Sequence, residues 1–240
     1  MKNTLRIGTL LLALLALAGC DDDTGHETVY YCTGPDLGLD GTWFGAMEDD
    51  TGTLFTLEWR VCGDEITREI VGGFSSGITG QLWQTGPGVW RGALSDGTGL
   101  RMLTDPSRLH AMMVNDAFEF AVLERDAVGL PGYFFSDLDG HWSGRHAWLS
   151  WSAGQVQDAW ALCGAGRCDT TEAGGISATL WFDVLEGEFG MYRGEYLDSL
   201  GNDGIAGALM SPDLLFLGTY TCPLDYLGPE DCTFGALRFD

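Results

Sequence analysis

Apolar and polar residues alternate with a period of two through Phe55-Thr56-Leu57-Glu58-Trp59-Arg60-Val61, the pattern of a β-strand with one face buried and the other in water. Thr179-Leu180-Trp181-Phe182-Asp183-Val184 reads as a second such strand, apolar in part on both faces. Gly-rich breaks, Asp96-Gly97-Thr98-Gly99 and Gly201-Asn202-Asp203-Gly204, punctuate the pattern as turns. No segment carries a long, capped period of 3.6, so the chain is expected to be all-β, with little helix beyond its N-terminal segment.

The pattern also repeats. Leu39-Asp40-Gly41-Thr42-Trp43-Phe44-Gly45 returns as Leu138-Asp139-Gly140-His141-Trp142-Ser143-Gly144, and Trp59-Arg60-Val61-Cys62-Gly63 as Trp160-Ala161-Leu162-Cys163-Gly164. Leu82-Trp83 answers Leu180-Trp181, Trp90-Arg91-Gly92 answers Tyr192-Arg193-Gly194, and Pro106 with Leu109 answers Pro212 with Leu215. Order is kept throughout and only loop lengths change, as expected of an internal duplication. The prediction is two tandem antiparallel β repeats, small barrels or sandwiches, over residues 37–126 and 137–240. Residues 127–136, containing Val128-Gly129-Leu130-Pro131-Gly132, read as a linker. One pseudo-symmetric barrel with a shared core is the alternative, and the apolar Tyr133-Phe134-Phe135 suggests that the halves pack together. Recurrence in both copies assigns Trp43, Trp59, Trp83, Trp142, Trp160 and Trp181 to the core.

The N-terminus has a different character. Lys2 and Arg6 precede an uncharged Leu/Ala run over residues 7–17, too short to span a bilayer. Its ending, Leu17-Ala18-Gly19-Cys20, resembles a bacterial lipobox. That resemblance implies removal of residues 1–19 as a signal peptide and attachment of diacylglycerol, with acyl chains such as palmitate, to Cys20. Residues 20–36 become a lipidated Cys and an acidic tether in the bacterial cell envelope, on the periplasmic or surface side. Several buried acyl chains, at about 0.8 kcal/mol per methylene, hold such an anchor firmly. Asp21, Asp22 and Asp23 resemble the retention signal of enteric inner-membrane lipoproteins, and the choice of membrane stays open.

Charge narrows the partners. The chain carries 35 Asp and Glu against 12 Lys and Arg, a formal net charge of −23, and no Lys follows Lys2. An acidic surface of this kind repels nucleic acid and anionic headgroups, so nucleic acid is not expected as a partner. Apart from Cys20 there remain Cys32, Cys62, Cys163, Cys168, Cys222 and Cys232. An even number in an exported chain argues for disulfides, though six cysteines allow fifteen pairings. Proximity favours Cys163–Cys168 and Cys222–Cys232, with Cys32–Cys62 by elimination. Cys62 and Cys163 are read as equivalent positions with different partners, and Cys222 and Cys232 fall in an enlargement of the second copy. A metal site is the rival reading, but no Cys-x-x-Cys is present.

Gly41-Thr42-Trp43 and Gly140-His141-Trp142, each opening a β repeat, resemble the Gly-x-Trp that begins the first strand of lipocalins. The resemblance implies that each Trp closes one end of an eight-stranded barrel beneath a basic residue of the last strand, a part open to Arg125 and Arg238. It also implies a carrier of a small apolar ligand.

Catalytic chemistry is sparse. The Walker loop and His-Glu-x-x-His are absent. His141 and His146, five apart on a strand, would face opposite sides. His110 aligns with Phe216, which points to a packed position, and His26 lies in the tether. Glu186 and Glu188 are the kind of pair that an acidic composition supplies, although a glycosidase also needs two carboxylates across a cleft. Asp198, Asn202 and Asp203 are the best calcium candidates, with a hairpin turn as the alternative. No cofactor is called for. Three functions follow: a non-catalytic, lipid-anchored binding or interaction module, a lipocalin-like carrier, and a carbohydrate-active hydrolase.

Overall fold

The computed structural model describes residues 32, 34–71, 77–148, 155–225 and 229–240, and residues 32–240 form one compact unit. The signal peptide, Cys20, the three aspartates after it and His26 lie outside the described residues.

The first repeat is a closed, up-and-down barrel of eight antiparallel strands. They are β1 (Gly41–Glu48), β2 (Leu54–Cys62), β3 (Glu65–Ile70), β4 (Ile78–Gly86), β5 (Val89–Leu94), β6 (Gly99–Thr104), β7 (His110–Asn115) and β8 (Phe120–Arg125). The second repeat builds the same barrel from β9 (Gly140–Trp148), β10 (Gln157–Gly164), β11 (Arg167–Glu172), β12 (Ser177–Glu186), β13 (Met191–Asp198), β14 (Asp203–Met210), β15 (Phe216–Pro223) and β16 (Thr233–Phe239). In each, the last strand pairs with the first, which leaves no free sheet edge.

Period-two alternation decides what enters each barrel. Trp43, Leu57, Trp59, Ile66, Trp90 and Met113 fill the first, while Trp142, Leu180, Phe182, Tyr192 and Leu217 fill the second. A third core lies between the barrels, made from their outward faces: Met112, Val114, Phe120 and Val122 against Phe216, Tyr220, Phe234 and Ala236. This explains why every residue of β7 is buried. The two barrels of the first expectation are formed and pack on one another through this third core, and the single pseudo-symmetric barrel offered as the alternative is not. Gly218 of β15 sits at a close approach of the two barrels, since a Cβ there would lie 2.4 Å from Val122 Cγ2.

Pairing register corrects the repeat alignment. Trp43 pairs with Trp59, but Trp142 pairs with Ala161, so the counterpart of Trp59 is Ala161 and not Trp160. A slip of one residue moves a side chain to the opposite face. Trp160 is accordingly exposed on the barrel wall, as are Trp83 and Trp181, and only Trp43, Trp59 and Trp142 of the six expected tryptophans are core. Trp90 and Tyr192, fully buried counterparts, take that role instead.

Cys62 and Cys163 are not equivalent for the same reason. Cys163 and Cys168 are cross-strand partners that point into the second barrel, where the first has Val61 and Ile66. All three expected disulfides are formed, Cys32–Cys62, Cys163–Cys168 and Cys222–Cys232. The last staples the β15–β16 hairpin within the inter-barrel core. The segment read as a linker ends inside the second barrel: Tyr133 is buried there, and Tyr192 donates from its hydroxyl to the Phe134 carbonyl at 2.8 Å.

Candidate functional site

Each barrel has one closed end. Trp43 Nε1 donates to the Leu39 carbonyl at 2.8 Å, and Trp142 Nε1 to the Leu138 carbonyl at 2.9 Å. In the first barrel the Arg125 guanidinium stands 5.9 Å from the centre of the Trp43 ring, in cation–π range, and donates to the Gly38 carbonyl. Among the described residues the second barrel has no such arginine. Phe239 is the strand partner of Trp142 and meets its ring edge-on at 5.1 Å. Arg238, one residue earlier, points outward and half-exposed, with Asp105 4.0 Å away.

The opposite ends differ more. In the first barrel Arg68 is buried and donates through Nη1 to Glu119 Oε2, which also accepts from Asn115 Nδ2 at 2.6 Å. Asn115 Oδ1 in turn accepts from the Glu119 backbone N–H at 2.8 Å. This trio plugs the barrel, and the space left beside it is about 10 Å³.

Register places Thr170, Thr233 and Thr221 of the second barrel at the positions of Arg68, Glu119 and Asn115. Deeper positions shrink as well: Leu57 gives way to Ala159, Leu100 to Ala206 and Met113 to Thr219. The result is a cup. Its floor is a cavity of about 50 Å³ that includes Ala159, Ala178, Leu180, Thr219 and Leu237. Its mouth is a cavity of about 260 Å³ reached by Gln157, Tyr196 and Asp198, and His146, Glu172, Thr221 and Thr233 border both. The β13–β14 strands are each eight residues long against six for β5 and β6, which raises that side of the wall.

The cup is rich in hydrogen-bond acceptors. His146 Nδ1 lies 3.2 Å from Glu172 Oε1. His146 Nε2 is buried and has no hydrogen-bond partner among the described residues. No Lys or Arg lines either cavity among the described residues. Burial raises the pKa of the Tyr196 phenol at the mouth, and the charges of Asp198, Asp203 and Asp225 raise it further. The field in the mouth is therefore negative.

Neither a protein-family model nor a curated protein matches the chain. A solved structure of a protein of unknown function of the DUF3598 family, from Nostoc punctiforme, is similar to it at 12% identity and a TM-score of 0.32, over 85% of this chain and 97% of its own.

The other expected residues fall elsewhere. His141 and His146 do face opposite sides, with His141 exposed and His146 in the cup. Asp198 caps its own hairpin, accepting from the Leu200 and Asn202 N–H groups and from Asn202 Nδ2, all within 2.9 Å. Asp203 opens β14 one residue before the inward-facing Gly204, and so points away from the cup. Glu186 accepts from Arg193 Nε at 3.0 Å, and Glu188 is exposed.

His110, Glu124 and Asp213 bring one metal-ligating atom each to within 4.8 Å of one another. Chemistry argues against coordination there. Burial would lower the His110 pKa, but hydrogen bonds to Asp105 (3.3 Å) and Asp213 (2.8 Å) and their charges outweigh it and lift it to about 9. Both ring nitrogens already face carboxylates, and the raised pKa favours the imidazolium, which donates from both and offers no lone pair. Sequence reasoning singled out none of Arg68, Glu119, Glu172 and the cup threonines. The one available signal was an arginine at an inward position of a short alternating strand.

Proposed function

We propose that the protein is an exported, lipid-anchored, non-catalytic binding protein of a bacterial cell envelope, with a solid first barrel as support and a second barrel that holds a small molecule. The contrast between the plugged and the cupped barrel carries this reading. A duplicated barrel that fills one interior with Arg68, Leu57 and Met113 and empties the other with Thr170, Ala159 and Thr219 has the shape of a ligand site. Three disulfides suit an oxidising compartment, and the lipobox-like Leu17-Ala18-Gly19-Cys20 supplies the anchor.

The test is native mass spectrometry of the protein extracted gently from its own membrane. A lipid mass on Cys20 and a bound small molecule are the expected results. An unmodified N-terminus removes the anchor, and a chain that carries no ligand in any preparation removes the carrier role.

A second reading draws on the outer wall of the second barrel, where Trp160, Leu162, Trp181 and Leu197 are all more than 40% exposed. Exposed apolar residues in such number suit a protein partner. Mutation of Trp160 and Trp181 to Ser tests it, because loss of a co-purifying protein is expected only on this reading.

A further inference from the structure

We propose that the second barrel takes a small organic cation, an ammonium or guanidinium headgroup, in the place that the Arg68 guanidinium fills in the first. The inference rests on the ligand-binding reading above and goes further by naming the chemistry of the ligand.

The first barrel serves as an internal template. Its end holds a buried guanidinium donated to a carboxylate, with an amide as second donor to the same oxygen. In the second barrel the cation is gone, since Thr170 replaces Arg68. The carboxylate has moved to the neighbouring inward position: Glu172 stands where the first barrel has Ile70. It borders both cavities and keeps one oxygen 3.2 Å from His146 Nδ1.

A proton on Nδ1 shared with Glu172 leaves the lone pair on Nε2, the buried atom that has no partner among the described residues. The hydroxyls of Thr221 and Thr233, 2.6 Å apart, belong to residues that line the same cavities. An ammonium has three N–H donors and no acceptor. It fits a site made of one carboxylate, one imidazole lone pair and hydroxyl oxygens, in which no Lys or Arg competes among the described lining residues. A carboxylate or phosphate ligand would meet Glu172 and the Asp198 side of the mouth with like charge. The floor of Ala159, Leu180 and Leu237 accommodates a short apolar tail.

Three six-carbon probes that differ only in headgroup test the proposal on the full-length protein by calorimetry near pH 8: hexylamine, hexanol and hexanoate. Hexylamine is expected to bind about ten-fold or more tightly than hexanol, and hexanoate not at all, because a charge-assisted hydrogen bond is about twice as strong as a neutral one. Glu172→Gln should remove the preference for hexylamine over hexanol. Thr170→Arg, which supplies the missing cation from the chain itself, should abolish hexylamine binding. If that variant fails to fold, Thr170→Arg with Thr233→Glu and Thr221→Asn rebuilds the whole trio of the first barrel.

Equal or tighter binding of hexanol or hexanoate overturns the cation assignment and leaves the ligand site standing. Hexylamine binding that survives both Glu172→Gln and the rebuilt plug overturns the placement. Failure of all three probes to bind overturns the assignment and the ligand-site reading together.

Discussion

His110 and Phe216 occupy the same position in the two barrels and stack on one another, with ring centroids 5.4 Å apart and planes within 8°. Phe120 and Phe234, also counterparts, meet at 6.2 Å. Contact between equivalent residues is the signature of a two-fold interface, here formed within one chain. Its centre is the apolar third core, and its margins are polar. On one side Glu48 is held by Arg193 and by the Tyr220 hydroxyl (3.1 Å) of the other barrel. On the other, His110 is clamped between Asp105 and Asp213, and the Asp213 N–H donates to Glu124 at 2.7 Å.

The clamp makes stability depend on pH. The folded His110 pKa of about 9 lies above the ordinary His value near 6.5, so its stabilisation is complete below about pH 6.5 and is lost as pH rises through 9. Asp105 and Asp213 are held below the usual carboxylate range by His110 and by Ser107 and Ser211, against the opposing effect of burial. Their contribution is present above about pH 4 and lost on acidification. Glu124, raised by burial and by the Asp213 charge, opposes them weakly, and Arg238 stands 4.0 Å from Asp105. His110→Phe keeps a ring on Phe216 but leaves the Asp105 carboxylate buried without its cation. Urea titration should show a loss of about 3 kcal/mol at pH 7 that shrinks toward pH 10. An unchanged pH profile would remove the clamp.

Gly218 permits the close approach of the barrels. Gly218→Ala drives a methyl against Val122 and Met112 and should cost about 1–3 kcal/mol in a denaturant titration, because packed cores resist overfilling. No loss would mean that the barrels are free to move apart.

Arg125 and Arg238 should behave differently, although both sit near the ends of last strands. Arg125→Ala removes a cation from the Trp43 ring and a donor from Gly38, and should lower stability by about 1–2 kcal/mol. Arg238→Ala, at an exposed site, should stay within about 0.5 kcal/mol. Equal losses would contradict the register described above.

The Cys163–Cys168 disulfide replaces the Val61–Ile66 contact of the first barrel. Its short loop stabilises by about 2 kcal/mol through chain entropy. Cys163→Val with Cys168→Ile restores the apolar pair and should lose less than that in thermal unfolding, whereas Cys163→Ser with Cys168→Ser should lose more, from burying hydroxyls.

Much of the fold was legible because strands have a period of two and turns need Gly, Asn or Asp. The duplication and the Gly-x-Trp openings led to two barrels with their Trp-closed ends. The match of Trp59 to Trp160 failed because Trp, Cys and Gly recur one residue out of register, and in a strand one residue is the difference between core and solvent. The same slip hid the contrast between Arg68 and Thr170, which appears only when the repeats are aligned on Trp43 and Trp142. The third core was written in Ala111-Met112-Met113-Val114, apolar on both faces, but a run of that kind does not say which surface covers it.

The contrast between the plugged first barrel and the open second one is what makes the second a ligand cup. Native mass spectrometry of membrane-extracted protein, wild type beside the Thr170→Arg, Thr233→Glu, Thr221→Asn variant, tests it most directly. A bound small molecule is expected on the wild type and none on the variant, with both chains folded. An adduct that persists in the plugged variant, or a wild-type chain that never carries one, would contradict it.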